Sequence, residues 1–304
     1  MKTFLVVNPQ SANGQTGRRW PEISAQLVRS LGELGHAFTE KPMDAARLAA
    51  RALEEGYDCV VAVGGDGTLN EVVNGFFRDG KVINPSAALG LLPRGTGGDF
   101  RRTFSWDDKV PTSAARFATD KTAPFDVGVV DFTGHDGRPC SRYFANIASF
   151  GVSGQVDREV SKSKGWGGRL SFFLASTRAL MKYSDRRVRL VADGGAPEEL
   201  KVTTVAVANG RYFGGGMKVA PQADTADGLF DVTIWSGYGL ADFAFKSKAI
   251  YDGSHVRLPG TRTFRCKTLR AESEEEVLLD VDGEQPGRLP CTMRILPSAI
   301  RLKV

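Results

Sequence analysis

The residues best placed to do chemistry are Gly64-Gly65-Asp66-Gly67-Thr68, directly after the apolar run Cys59-Val60-Val61-Ala62-Val63. Leu69-Asn70-Glu71-Val72-Val73-Asn74 follows in helical rhythm, so the segment reads as strand, tight loop and helix. A glycine-rich turn feeding a helix N-terminus presents backbone N–H groups to an anion, and phosphate is the common guest. Asp66 in the same loop would repel phosphate unless a cation lies between them. The loop therefore points to a nucleotide phosphate bound together with Mg2+. The simpler alternative is a strand–helix turn that is glycine-rich only for tight packing.

Leu91-Leu92-Pro93-Arg94-Gly95-Thr96-Gly97-Gly98-Asp99-Phe100 is a second loop of the same kind. Asp99 opens a helix and reads either as a plain N-cap or as a second carboxylate near the metal. Arg94 is placed to reach phosphate oxygens. A third segment is Leu278-Leu279-Asp280-Val281-Asp282-Gly283-Glu284. Asp-Gly is a common hairpin turn. On an extended chain, however, Asp282 and Glu284 would point to one side. One carboxylate could then accept the proton of an attacking hydroxyl while the other holds Mg2+. The chain has no Walker loop, no Gly-x-Gly-x-x-Gly opening a helix and no Gly-x-Ser-x-Gly elbow, so the phosphate loop is of another type.

These residues need a frame. Strands are predicted over 4–7, 37–39, 59–63 and 87–92, with helices between them. Ile23, Leu27, Leu31 and Leu34 mark one helical face. Asp44 is expected to cap a helix reaching Glu55 and ended by Gly56. Apolar strands alternating with helices imply a parallel sheet covered on both faces. Loops at Asn8, Thr39, Gly64 and Pro93 all follow strand ends, where such sheets bind ligands. Beyond about residue 122 the texture changes to short strands over 125–132, 143–147, 188–192, 201–208, 229–235, 263–270, 277–281 and 294–296. That pattern suggests an antiparallel sandwich or barrel. A helix over 168–183 interrupts it, and 299–304 is a last short strand. The expected fold is thus an N-terminal α/β nucleotide domain over 1–122 plus a returning strand 298–304, with a C-terminal antiparallel β-sandwich over 123–297.

Length of 304 residues suits two domains. A hydrophobic share of 41% and a charged share of 25% are those of a globular chain. The net charge of +5 suits an anionic partner without choosing one. Cys59, Cys140, Cys266 and Cys291 are scattered, which argues against a disulfide framework or zinc site and for a reducing cytosol. No apolar run approaches the roughly 20 residues that span a bilayer, and the N-terminus turns polar at Asn8, too soon for a signal peptide. Between 157 and 189, nine Lys/Arg stand against three acids, with Trp166, Leu170, Phe172, Phe173 and Leu174 among them. Basic residues beside aromatics suit docking on anionic lipid, although a solvated helix packed on the sandwich reads the same way.

Taken together, Asn8-Pro9, Gly64 to Thr68 with Asn70 to Gly75, Pro93 to Asp99 and Asp282-Gly283-Glu284 resemble the diacylglycerol kinase catalytic-domain family. That lipid kinase group includes sphingosine and ceramide kinases. The resemblance implies ATP over Asn8, Thr39, Gly64, Gly65, Gly67, Thr68, Arg94, Gly95 and Thr96. It implies Mg2+ positioned by Asp66, Asp99 and Glu284, Asp282 as general base, and in-line transfer of the γ-phosphoryl group to a lipid hydroxyl. It also implies a structural Mg2+ on Asp227. Gly98 stands where the family usually has Asn, and Arg101-Arg102 where it often has Ala-Arg. The expected setting is cytoplasmic, peripheral to the inner face of a membrane, with a lipid substrate and no nucleic acid; a homodimer is left open. The rival readings are a soluble small-molecule kinase such as an NAD kinase, and a nucleotide-binding regulatory homologue without turnover.

Overall fold

The computed structural model describes residues 1–156 and 183–304. They form two compact units, residues 1–127 with 297–304, and residues 128–296. The helix expected over 168–183 and most of the basic stretch fall on 157–182, outside the described residues.

The first unit opens with β1 (Thr3–Val7), α1 (Gln15–Arg18), α2 (Trp20–Leu31), β2 (Gly35–Phe38), α3 (Asp44–Glu54), β3 (Cys59–Gly64) and α4 (Asp66–Gly75). A small hairpin of β4 (Phe77–Arg78) and β5 (Lys81–Val82), then β6 (Ala88–Pro93), α5 (Asp99–Thr103) and α6 (Val110–Ala118), follow. β6, β3, β1 and β2 lie side by side in that order, all parallel. Every residue of β3 and β6 is buried, which is why both read as unbroken apolar runs. Trp20, Ile23 and Leu27 of α2 join Val110, Ala114 and Phe117 of α6 in one core with β1 and β3. α3 buries Ala45, Leu48, Ala49, Ala52 and Leu53, a helical spacing. It meets α4 closely at Gly75, where a Cβ would lie 2.3 Å from the Ala46 carbonyl oxygen. Asp44 does not cap α3. It is the first helical residue, and its Oδ2 accepts from the N–H groups of Glu40 (3.0 Å) and Lys41 (3.2 Å) instead. The N–H of Ala45 is met by Glu71 Oε2 of α4 at 3.0 Å.

β7 (Thr122–Gly134) runs out of the first unit. The second unit continues with β8 (Pro139–Phe144), β9 (Ile147–Gly151), β10 (Arg186–Ala192), β11 (Glu198–Val202), β12 (Thr204–Ala208) and β13 (Phe230–Trp235). Helices α7 (Leu240–Phe245) and α8 (Ser247–Asp252) and a short 3-10 turn come next. β14 (Thr261–Cys266), β15 (Thr268–Glu272), β16 (Leu279–Val281) and β17 (Gly287–Lys303) complete the chain. One sheet holds β11, β10, β15 and β17 in order, with β7 beside β17 and β8 beside β7. The other is antiparallel, in the order β14, β13, β12, β9, β16. Val188, Leu190, Leu269 and Met293 from the first sheet pack with Phe150, Val205, Phe230 and Leu279 from the second, so the unit is a β-sandwich. Cys59, Cys266 and Cys291 are buried and free, and burial pushes their thiols up to about 12; Cys140 is free and exposed.

Three stretches that each read as one strand are two strands in different sheets. Residues 143–147 divide between β8 and β9, 201–208 between β11 and β12, and 263–270 between β14 and β15. The run of β-favouring residues continues through each bend, and the break is marked only by a slip in the alternation, as between Cys266 and Leu269. The bends show instead in where their polar groups go. Asp282 accepts from the N–H groups of Ala145, Asn146 and Ile147. Asp193 Oδ1 accepts from those of Lys267 and Thr268. Asp185 accepts from the Thr203 hydroxyl at 2.7 Å and from the Gly237 N–H at 2.8 Å. The expected strands 294–296 and 299–304 are one strand, β17, which carries the chain back into the first unit, where Arg301 and Leu302 pair with Ala88 and Leu89.

Thr203 is buried, and its hydroxyl also accepts from the Tyr238 N–H at 3.0 Å. Thr203→Val keeps the shape and removes both hydrogen bonds, so urea unfolding should show a loss of about 1–3 kcal/mol.

Candidate active site

The parallel strands of the first unit end in step. Val7 lies opposite both Val63 and Phe38, and Gly64 opposite Pro93. The loops beginning at Asn8, Thr39, Gly65 and Arg94 therefore leave the sheet from one edge. Backbone hydrogen bonds tie each loop to the next strand: Asn8 N–H to Val63 O, Thr39 N–H to Val7 O, and Arg94 N–H to Gly64 O at 2.7 Å.

The two glycine loops touch. A Cβ on Gly95 would lie 2.4 Å from Gly65 Cα, and one on Gly64 would lie 2.4 Å from Thr68 Oγ1. Only glycine allows this approach, and it leaves bare backbone where a ligand can come close. α4 begins behind Gly65 without a side-chain cap, so its first-turn N–H groups have no intrahelical acceptor. Asp66 is pinned across the loops. Its Oδ2 accepts from Asp99 N–H at 3.0 Å and its Oδ1 from Phe100 N–H at 3.2 Å. Asn8 is a brace as much as a contact, since its Oδ1 takes the Gln10 N–H and its Nδ2 donates to Thr68 Oγ1 at 3.0 Å. Gly95 and Thr96 are exposed, Thr39 and Gly67 half-buried.

Asp99 is not the N-cap of α5. Gly98 holds that position in a left-handed conformation (φ 66°), and Asp99 pairs with Arg102 Nη1 at 2.8 Å. Arg102 Nη1 also donates to the Gly97 carbonyl. A side chain at Gly98 would meet Arg101 Nε 2.7 Å from its Cβ, so Arg101 fills the space beside this glycine. Arg94 is half-buried, and among the described residues its Nε is buried without an acceptor. Burial, and then nearby Arg19, hold its guanidinium below the usual arginine range. Sequence reasoning missed Arg116 of α6. It donates to the Leu91 carbonyl at 2.7 Å and stacks 3.9 Å over Trp106, and burial brings it down to about 10. Its place under β6 comes from tertiary packing, which no local spacing announces.

In the second unit, Asp282 and Glu284 do not lie along an extended strand. Asp282 (φ 50°) and Gly283 (φ 87°) are both left-handed, and Val281 and Glu284 exchange N–H···O bonds of 2.8 and 3.1 Å. This is a two-residue hairpin turn with both central φ positive, the geometry Asp-Gly favours. The turn ends the period-two rule that would have aligned the two carboxylates. The half-buried Asp282 takes the three N–H groups named above at 2.8–3.0 Å. Glu284 pairs with Arg142 Nη2 at 2.6 Å.

The oxygen donors of Asp66 and Asp99, held beside glycine backbone and an unmatched arginine, fit a polyphosphate with a hard divalent cation. At the Asp227 turn, where a second cation is expected, an arginine stands against the carboxylates. Arg265, directly opposite Asp231 on the neighbouring strand, is ion-paired with Asp227 and reaches Asp231 Oδ2 at 3.3 Å. Asp227 Oδ1 takes the Leu229 N–H. Burial, and then Asp224, push the Asp231 carboxyl above the usual range. Among the described residues no group of three or more acidic, His or Cys side chains is gathered for a metal.

Residues 2–130 match the family described as "Diacylglycerol kinase catalytic domain", and residues 146–304 match the "YegS C-terminal NAD kinase beta sandwich-like domain". A Staphylococcus saprophyticus protein named diacylglycerol kinase is 31% identical over 288 residues, covering 94% of this chain and 90% of the relative. The chain belongs to the diacylglycerol kinase family. Membership assigns a lipid-kinase kind of activity. A crystal structure titled as a diacylglycerol kinase from Bacillus anthracis aligns with a TM-score of 0.71 at 22% identity, covering 99% of this chain and 96% of that one. Yeast NADH kinase complexed with NADH aligns at 0.52 and 12% identity, covering 99% and 82%. These two likenesses show the shared fold.

Gly95→Ala should force the two loops apart and weaken nucleotide binding about tenfold or more in calorimetry, a loss of roughly 1.4 kcal/mol. Thermal melts should show no shift of the wild type with added Mg2+ that is traceable to the Asp227 turn. Arg265→Ala should destabilise by about 1 kcal/mol or less and gain a Mg2+-dependent rise, as Asp227 and Asp231 lose their cation.

Proposed function

We propose that this protein is an ATP- and Mg2+-dependent lipid kinase that transfers the γ-phosphoryl group of ATP to the hydroxyl of diacylglycerol or a related lipid. The observation that carries the reading is the contact of Gly65 with Gly95, with Asp66 pinned to the amides of Asp99 and Phe100. In this reading Asn8, Thr39, Gly64, Gly65, Gly67, Thr68, Gly95 and Thr96 surround the nucleotide, and Arg94 supplies the cation for its phosphates. Asp66, Asp99 and Glu284 would hold Mg2+, which neutralises charge on the transferred group. Asp282 would meet the acceptor hydroxyl. Its three amide bonds fix its direction. Such a carboxylate is better suited to orienting the hydroxyl, and taking its proton late, than to removing it in advance. A loose phosphoryl-transfer transition state asks for no more.

The acyl chains of the acceptor place the reaction at a membrane surface. In this reading contact there would be peripheral, on the cytoplasmic side; no described helix is long and apolar enough to cross a membrane. The net charge of +5 suits an anionic lipid face.

The test is incubation with γ-labelled ATP, Mg2+ and mixed micelles of diacylglycerol, monoacylglycerol, ceramide or sphingosine, with NAD in parallel. Label should enter one lipid class and fall by about 100-fold or more in Asp66→Ala. Label in NAD alone would make it a soluble kinase. ATP binding with no label anywhere would make it a nucleotide-binding homologue without turnover. Asp282→Asn is a poor probe here, because an amide nitrogen would face the Ala145 or Asn146 and Ile147 N–H groups it must accept from.

A further inference from the structure

Asp280 is a buried carboxylate, 6% exposed, two residues before Asp282, and it takes no part in the reaction as read above. On β16 it stands directly opposite Ser149 of β9. Burying a carboxylate is costly unless its oxygens are satisfied. Its Oδ1 accepts from the Gly283 N–H at 2.8 Å, and its Oδ2 from the Ser149 hydroxyl at 3.1 Å. Ser149 Oγ lies 2.8 Å from Ser153 Oγ. Each hydroxyl has one proton. Ser149 spends its proton on Asp280, so Ser153 donates to Ser149, and the chain of hydrogen bonds has one direction.

The turn that Asp280 grips has both central residues, Asp282 and Gly283, at positive φ, and its direction is set by the bonds on either side of it. Two sets of bonds hold it. Asp280 fixes Gly283 from one side. Asp282 fixes residues 145–147 on the other, through three N–H groups and its own N–H to Ile147 O at 3.0 Å. Loss of the first set would let the turn rotate and carry the Asp282 and Glu284 carboxylates with it.

We propose that Asp280, through Gly283 and the Ser149–Ser153 hydroxyls, is a positioning residue that sets the direction of the Asp282 and Glu284 carboxylates. The proposal rests on the lipid-kinase reading for its effect on rate, but not for its effect on the turn. Asp280→Ala should lower kcat about 10- to 100-fold with KM for ATP unchanged, as a misplacement of about 1 Å does. Asp280→Asn should recover to within about threefold of wild type, because its Oδ1 still accepts from Gly283 while Nδ2 donates to a reversed Ser149. Ser149→Ala should fall between the two.

Amide hydrogen exchange gives a readout without turnover. Ala145, Asn146 and Ile147 should lose about tenfold in protection in Asp280→Ala and regain it in Asp280→Asn, with β12 unchanged. If Asp280→Ala fails to fold, the Asp280→Asn and Ser149→Ala pair carries the test. Wild-type kcat in Asp280→Ala or Ser149→Ala, an Asn variant no better than the Ala variant, or unchanged exchange at 145–147 would each overturn the proposal. Altered exchange with no lipid turnover even in the wild type would uphold the turn's dependence on Asp280 and sink the kinase reading instead.

Discussion

Carboxylate oxygens binding backbone N–H groups are the interaction on which this molecule depends. A chain that leaves a helix or changes sheet strands its amides, and a buried amide without an acceptor is costly. Here aspartates meet that need repeatedly. Asp66 receives the start of α5, Asp282 and Asp193 serve two of the three bends between sheets, and Asp185 takes the Thr203 hydroxyl at the third and the N–H of Gly237. The buried Asp126 takes the N–H of Ser298 at 2.6 Å, where β17 passes through a left-handed residue. A charged acceptor makes a stronger bond than a carbonyl and can serve two or three donors at once.

The same device makes the candidate site rigid. Asp66 and Asp282 are the acids a sequence reading selects for chemistry, and both are also fasteners. Asp66 locks two glycine loops whose contact no side chain could survive, and Asp282 locks the bend from β8 to β9. Substituting either one removes a charge and a clamp together. Loss of activity alone would therefore not separate the two roles. Arg265 shows the converse: at the Asp227 turn an internal guanidinium supplies the positive charge, within a strand pair that fixes its position.

The α/β unit was legible because its signals are local. The run from Cys59 to Val63, the glycine loop after it and the helical face of α2 follow from residue type and spacing alone. The sandwich was legible as a class but not in its course. Strand runs such as 201–208 and 263–270 continue unbroken in residue type while crossing from sheet to sheet, with no more than a slip in their alternation, and the acceptors that serve the crossing lie at Asp185 and Asp193, outside those runs. α7 and α8, which bring Ile250 against Trp235 and Tyr238, gave no clear period in so short a span. Within the site, the glycines and acids were identified, but the hairpin at Asp282-Gly283 was set aside for an extended strand. Arg116 and Arg142 could not be found without the fold, since what marks them is the carbonyl and carboxylate they meet.

The first unit is closed by residues 297–304, whereas the second is one continuous stretch. In topological terms the sandwich is an insertion and the α/β unit its host. During synthesis the insertion can be complete while its host still has an open edge along β6, because Arg301 and Leu302 are made after residues 128–296. The usual order, in which the N-terminal domain folds first, is thus reversed at the final step. The half of the molecule carrying the glycine loops is the half that finishes late, with one edge of β6 unpaired until β17 reaches it.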